Sequence, residues 1–403
     1  MKKVQRNSEL SIAIAGAGFA GLAGAALLAR AGHRVTVFEK FAKPQAVGAG
    51  ILIQPSGLAA LRVLGLDDAL IAQGAAVTRL YGVTPRGKPV IDVRYADWQA
   101  AAFGLGLHRG ALFEALWALC VRSGVQLVTG HEVRDLHEFH GHYDLHVVAD
   151  GANSQLRAQT GLPFRESLYP WGAVWAVLPD AQQHYASTLW QWYRSAREML
   201  GIMPTGLAPG HAEPVVSLFW SLHADAYPAW RAAGLDAFKQ KVLALNPACG
   251  NLLGQITHID QLTWARYHHV AMPRYHTERC VVIGDAAHAT SPQLGQGTNL
   301  ALLDAVALAH CVATYANVPA DVPTALAAYT RERKSHLHFY GQASRWMTPA
   351  FQSHQSVMPW LRDAFMAAAL RWPISRPFSH QTLVGVRHSW WRPAGTLQLE
   401  NLN

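Results

Sequence analysis

Three glycines, Gly16, Gly18 and Gly21, stand in the spacing G-x-G-x-x-G, and the acidic Glu39 follows 18 residues after the last of them. Glycines so spaced can hold a pyrophosphate. The first permits a tight turn, the second lets phosphates reach the backbone, and the third lets a helix pack closely on a strand. An acidic residue at that distance accepts hydrogen bonds from an adenosine ribose diol and disfavours a 2′-phosphate, so the pattern points to NAD or FAD rather than NADP. Lys40, beside Glu39, belongs to the same candidate cofactor site.

These residues need a strand, a turn, a helix and a second strand to position them. Residues 10–15 read as the first strand, 19–30 as the helix, Gly32 as its stop and 35–38 as the second strand. The helix start then offers unpaired N–H groups and a positive dipole end to phosphates. By hydropathy alone the uncharged stretch 11–29, preceded by Lys2, Lys3 and Arg6, would pass for a signal peptide or a membrane helix. The spaced glycines and the β-branched run after them argue against that. Glycines serving only helix packing are the competing reading, and the complete strand–turn–helix–strand context weighs against it too.

Two later motifs carry further chemistry. Residues 147–157, VVADGANSQLR, bring an apolar strand into Asp150 and Gly151, with Ser154 and Arg157 opening a helix. Residues 279–308, RCVVIGDAAHATSPQLGQGTNLALLDAVAL, run from a buried strand through Gly284 and Asp285 into a loop with Pro292, Gly295, Gln296 and Gly297. A long apolar helix starts near Thr298. With these three motifs in order, the chain resembles the FAD-dependent monooxygenases of the aromatic-hydroxylase type, the class A flavoprotein hydroxylases. Residues 48–66 and 108–116 look like that family's linking regions, while the last seventy or so residues fall outside the likeness.

The resemblance implies an α/β fold: a Rossmann-like FAD-binding domain interleaved with a mostly antiparallel β-sheet substrate domain, plus C-terminal helices. The expected boundaries are 1–75, 101–165 and 276–340 for the FAD domain, 76–100 and 166–275 for the substrate domain, and 341–403 for a helical extension. It implies bound FAD, NAD(P)H as transient co-substrate, and O2 inserted into an aromatic or polyketide-like small molecule through a flavin C4a-hydroperoxide. Glu39 would hold the ribose, Arg109 would lie near the pyrophosphate and ribityl chain, and Asp285 would bind ribityl or pyrophosphate oxygens. Asp150, Ser154 and Arg157 would serve FAD and the nicotinamide pyrophosphate. Val148 departs from the glycine often found two residues before that aspartate. Pro292 would sit beside substrate and flavin, and His288 would be structural.

Physical reasons accompany that transfer. Reduced flavin carries negative charge that a helix N-terminus can offset, which nominates the backbone N–H groups of Thr298 and Asn299. Gly295 and Gly297 would let the loop approach a flat ring without Cβ collisions. The flavin does the hard chemistry, so no protein nucleophile or metal is required.

Residues 166–275 hold seven of the 14 tryptophans, several in alternating runs that read as antiparallel strands. A hairpin, 77–83 and 90–93, is expected to join the same sheet. Trp190, Trp192 and Trp220 are candidates for an aromatic substrate pocket, with core packing under the sheet as the alternative. Tyr193, His223 and His268 are the candidates in the right domain for a catalytic base, and the sequence does not choose among them. Related flavin enzymes remain as alternatives: a halogenase, although no lysine has the required context and 171–179 only approximates WxWxIP, or a lipid or isoprenoid reductase-desaturase.

Composition sets outer limits. The 403 residues carry only 15% charged side chains, which excludes a disordered or coiled-coil chain. The net charge of +8 is diffuse, with no run of five basic residues, so no nucleic-acid partner is expected. Cys120, Cys249, Cys280 and Cys311 form no CxxC pair, which removes zinc and thioredoxin-like readings and suits a reducing, cytoplasmic compartment; a monomer or homodimer is expected. The tail combines an apolar helix-like stretch, 357–370, with Arg371, Trp372, Arg376, Arg387, Trp390, Trp391 and Arg392. It is read as packing over the FAD domain or as making a weak membrane-surface or protein contact.

Overall fold

The apolar stretch that mimics a membrane segment is the centre of the nucleotide domain. In the computed structural model, which describes residues 9–44 and 48–391, Ser11–Ala15 is the middle strand of a five-stranded sheet. Lys2, Lys3, Arg6 and Arg392 lie outside the described residues. The strand order is Cys280–Val282, Leu145–Val148, Ser11–Ala15, Arg34–Glu39, Gln126–Thr129, and every pairing is parallel. Parallel strands bury both faces, which explains the unbroken apolar runs at 280–283 and 147–149.

Helices Phe19–Arg30 and Gly297–Tyr315 pack against each other over this sheet, with Gly24 facing the Ala305 side chain. Gly297–Tyr315 is long and apolar enough to cross a bilayer, yet 67% of it is buried within the protein. It is a core helix.

The second sheet has seven strands in the order Thr263–Ala271, Arg165–Pro179, Pro214–His223, Glu198–Leu207, Thr188–Arg194, Arg79–Val83, Pro89–Arg94. All neighbours are antiparallel except Thr188–Arg194 with Arg79–Val83. The expected hairpin joins it, but Val77 does not: Ala75–Val77 pairs with Gly104–His108 in a separate three-stranded sheet with Gly50–Ile53. Helix Tyr227–Leu245 covers the distal face of the large sheet, where Trp220, Trp230 and Phe238 share a core.

The helix Val322–Phe351 runs unbroken through position 341, so the C-terminal helices are not a separate appendage. Its first half packs on Gly297–Tyr315 through Arg333 and Asp304, and its end reaches the large sheet, where Phe351 meets Tyr193. Helices Val357–Arg371 and Arg376–Val384 follow.

Candidate active site

In open parallel sheets ligands sit beyond the carboxyl ends of the strands. The glycine loop, Asp150 and Gly284 all lie there, joined by bonds from Gly16 N–H to Phe38 O (2.8 Å), Ala149 N–H to Ala15 O (2.8 Å) and Ile283 N–H to Val148 O (3.0 Å).

The glycines divide by physical role. Gly16 has φ +104°, and a Cβ there would lie 2.4 Å from Ala149 O; a Cβ at Gly21 would lie 2.1 Å from Gly16 O. Both are demanded by packing. A Cβ at Gly18 would find no protein atom nearer than 3.8 Å, at Gly295 none within 4 Å, and at Gly297 only the Asp285 carboxylate at 4.0 Å. Those three edge a space that a ligand backbone contact can use.

Glu39 is half-buried, and its carboxylate accepts from the N–H of Ala17 and of Phe41, both at 3.0 Å. It therefore fixes the glycine turn. Lys40 is exposed, with its ammonium 5.0 Å from the Phe41 ring. Arg109, exposed at the start of helix Arg109–Arg122, lays its guanidinium 5.2 Å from the Phe19 ring, at the mouth of the glycine-loop helix.

Asp150 has a buried Oδ1 with no hydrogen-bond partner. Burial pushes its carboxyl upward from the ordinary value, against the opposing pull of Ser154 and Arg157. A buried acceptor left open is costly unless a ligand meets it. Asp285 is exposed at the same edge. The first intrahelical bond of Gly297–Tyr315 runs from Leu300 N–H to Gln296 O (2.9 Å), so the N–H groups of Gly297, Thr298 and Asn299 have no acceptor in their own helix. Open acceptor, free donors and glycine-lined space fit FAD.

Other residues have structural roles. Ser154 accepts from Arg157 N–H, and the fully buried Arg157 guanidinium donates to Ala286 O, Ala152 O and Glu166, locking the Asp150 turn to the Asp285 turn. It has no open face for a nicotinamide pyrophosphate. The Asn299 side chain clamps the first sheet strand of the small sheet, accepting from Gln54 N–H (2.8 Å) and donating to Leu52 O and Gly295 O. His288 is buried and bonded to Asp304 (2.5 Å), the structural place expected for it.

The substrate side corrects the sequence reading. Trp220 points into the distal core, 6.1 Å from Phe238, and Trp192 packs on the same core. Trp190 stacks on Trp192 at 5.7 Å. All three support the face turned away from the flavin loops, so they line no pocket beside it. The alternation was right and the choice of face was wrong. Tyr193 is buried between Phe351 and the Arg362 guanidinium, and burial raises its hydroxyl far above the ordinary value. That placement leaves only 1% of it exposed. His223 sits at the sheet end against Trp171 and His354, and His268 faces Glu166 at 3.6 Å.

The opposite face carries a polar network absent from the sequence reading. Gln293, next to the exposed Pro292, donates to Tyr169 Oη (2.6 Å) and Gln352 Oε1 (2.5 Å). Tyr169 donates to the same Gln352 oxygen (2.5 Å), and Gln352 Nε2 donates to Ser221 Oγ (2.7 Å). Gln293 Oε1 remains buried without a partner. Tyr267 and His269 flank Tyr169, and burial pushes the Tyr267 hydroxyl up to about 12 despite Arg109 nearby. Two open clefts of about 430 and 470 Å³ lie elsewhere, around His137, His140 and His146 and along Arg34, Thr36 and Phe38; no residue of the cofactor loops lines them.

Fold and site together define a flavin-binding oxidoreductase. The FAD binding domain family matches residues 9–338, and the chain belongs to it, among enzymes that are FAD-dependent monooxygenases. It is similar to aurachin C monooxygenase/isomerase of Stigmatella aurantiaca, 28% identical over 89% of this chain and 94% of that protein. It is similar also to 6-hydroxynicotinate 3-monooxygenase of Bordetella bronchiseptica, 26% identical over 74% and 81% of the two chains. In fold it matches a tetrameric 2-methyl-3-hydroxypyridine-5-carboxylic acid oxygenase with a TM-score of 0.74, 19% identity, and 90% and 98% of the chains covered.

Proposed function

We propose that this enzyme hydroxylates a small, electron-rich aromatic ring bearing an N–H or O–H donor, with FAD, O2 and NAD(P)H, in the space between the Pro292 loop and the proximal face of the large sheet. The observation that carries the reading is the Gln293–Tyr169–Gln352–Ser221 network beside Pro292, with one buried acceptor, Gln293 Oε1, left open. The relatives named above act, by their names, on an aurachin and on 6-hydroxynicotinate, which supports a nitrogen-containing ring.

Bound FAD supplies the redox chemistry that activates dioxygen. The chain's own residues bind and shield. The N–H groups of Gly297, Thr298 and Asn299 would face the ring system with the positive end of their helix, while Glu39, Arg109, Asp150 and Asp285 would hold the ribose, pyrophosphate and ribityl portions. Gln293 Oε1 accepts from the substrate donor and orients the ring. Phe219 and Trp175 of the proximal face, with Tyr267, provide the apolar walls that exclude water. No described lysine is buried: Lys40, Lys43, Lys88, Lys241 and Lys334 are exposed and Lys239 is half-buried on the distal helix, which weighs against halogenation. Four free, buried thiols support a reducing, cytoplasmic setting.

The test is turnover under ¹⁸O2 with a 2-alkyl-4-quinolone and a hydroxypyridine carboxylate as probes. Yellow protein that consumes NAD(P)H and places one ¹⁸O atom in the ring is expected. Protein that cannot be loaded with FAD, or that turns over without incorporating oxygen, would overturn the proposal.

A further inference from the structure

The helix Val357–Arg371 is built inside out. A surface helix ordinarily buries its apolar stripe and shows its charges to water. Here a charge pair in the middle of the helix faces inward: Arg362 is buried, its guanidinium donating to Ala350 O (2.8 Å) and Ser195 O (2.9 Å), pairing with Asp363 (2.7 Å) and lying over the Tyr193 and Phe351 rings. The apolar residues face outward. Trp360 is 61% and Phe365 59% exposed, with Val357 and Leu361 on the same spacing of three and four residues, and the row continues past the helix end into Trp372 and Ile374, which is 83% exposed. Contiguous exposed apolar surface of this kind marks an interaction site.

The charge pattern selects the occupant. From 352 to 381 the only fully charged side chains are Arg362, Asp363, Arg371 and Arg376. The first two neutralise each other against the protein, which leaves Arg371 and Arg376, both exposed, at the end of the apolar row. An apolar face with tryptophans along it and arginines at its rim, and no exposed carboxylate of its own within residues 352–381, matches the interfacial zone of an anionic bilayer.

We propose that this face docks flat on an anionic lipid surface, with Trp360, Phe365 and Trp372 entering the headgroup region and Arg371 and Arg376 contacting lipid phosphates. The helix stays anchored to the protein by its buried polar side. Its start, Val357, lies five residues after Gln352 of the polar network, so a docked enzyme holds its substrate side next to the membrane. The docking stands independently of which ring is hydroxylated.

The full-length, FAD-loaded protein is floated with vesicles of phosphatidylcholine alone and of phosphatidylcholine with phosphatidylglycerol. Binding is expected to the anionic vesicles, with a blue shift of tryptophan emission, and to weaken in high salt, where the Debye length shrinks to about 3 Å. The double variant Trp360→Ser/Phe365→Ser is expected to lose vesicle binding by at least about tenfold while keeping its FAD content and melting temperature, and Arg371→Glu/Arg376→Glu to lose the preference for anionic lipid. Wild-type protein that ignores both vesicles, or double-variant protein that binds them equally well, overturns the proposal. So does a wild-type dimer that the double variant converts to monomer without any vesicle binding, which would assign the face to a second copy of the chain.

Discussion

Two glycines of one motif make opposite predictions. Gly16 combines a positive φ with backbone 2.4 Å from where a Cβ would sit, so Gly16→Ala should cost at least about 3 kcal/mol and yield little soluble protein. Gly18 has extended backbone and open space. Gly18→Val should fold with a stability loss below about 1 kcal/mol and lose FAD affinity by at least about tenfold, because the branched side chain occupies the phosphate space. Thermal melts and flavin titration separate the two. On the substrate side, Gln293→Leu removes the open acceptor and its bonds to Tyr169 and Gln352. Steady-state kinetics should give a KM for the aromatic substrate raised by about tenfold, the worth of one buried hydrogen bond, with FAD content unchanged. A variant with unaltered KM would detach the network from substrate binding.

At the scale of elements, one buried carboxylate ties three of them together. Asp304, in the Gly297–Tyr315 helix, accepts from Gly284 N–H (2.9 Å), His288 Nε2 (2.5 Å) and Arg333 Nε (2.7 Å), and so holds the Asp285 turn and the helix Val322–Phe351 in place. Burial opposes its charge, yet His288 and Arg333 outweigh burial and hold the carboxyl well below the usual carboxylate range. A depressed folded-state pKa gives stability that is present above the unfolded value of about 3.9 and is lost as pH falls toward the folded value. Acid titration should therefore release FAD and unfold the protein below about pH 4. Asp304→Asn should flatten that acid limb while costing about 3–5 kcal/mol at neutral pH, since Arg333 is left buried without its partner. Nothing in the sequence announced this residue, although it lies within the 279–308 motif. The cofactor loops were legible because their residues are contiguous and their spacing is set by local turn geometry. The substrate side was not. Ser221 and Gln352 are 131 positions apart and Tyr169 and Gln352 are 183 apart, and alternation in 188–194 groups Trp190 with Trp192 without saying which face of the sheet looks toward the flavin.

Across the whole molecule, the helix Val322–Phe351 is the rigid link between the two halves. Arg333 near its start engages the nucleotide domain through Asp304, and at its far end Phe351 and Gln352 engage the large sheet. The Ser291–Ser344 hydroxyl contact (2.9 Å) fixes the loop before Pro292 to the same helix. Flavin edge and substrate network are therefore set relative to each other by this rod together with direct contacts between the halves, among them Gly50 N–H to Ser217 Oγ (2.7 Å) and Val270 N–H to Ala289 O (2.8 Å). Gly341 lies on that rod with no atom within 4 Å of where its Cβ would be, so it can be changed without touching either site. Gly341→Ala should be tolerated or stabilise the helix by up to about 1 kcal/mol. Gly341→Pro removes a backbone hydrogen bond and kinks the helix at a cost of about 3 kcal/mol or more. The expected result is FAD content near wild type and continued NAD(P)H oxidation, with most of the reducing power released as hydrogen peroxide instead of hydroxylated product. A proline variant that stays fully coupled would mean that the direct contacts between the halves suffice, and that the rod carries no positional information from one to the other.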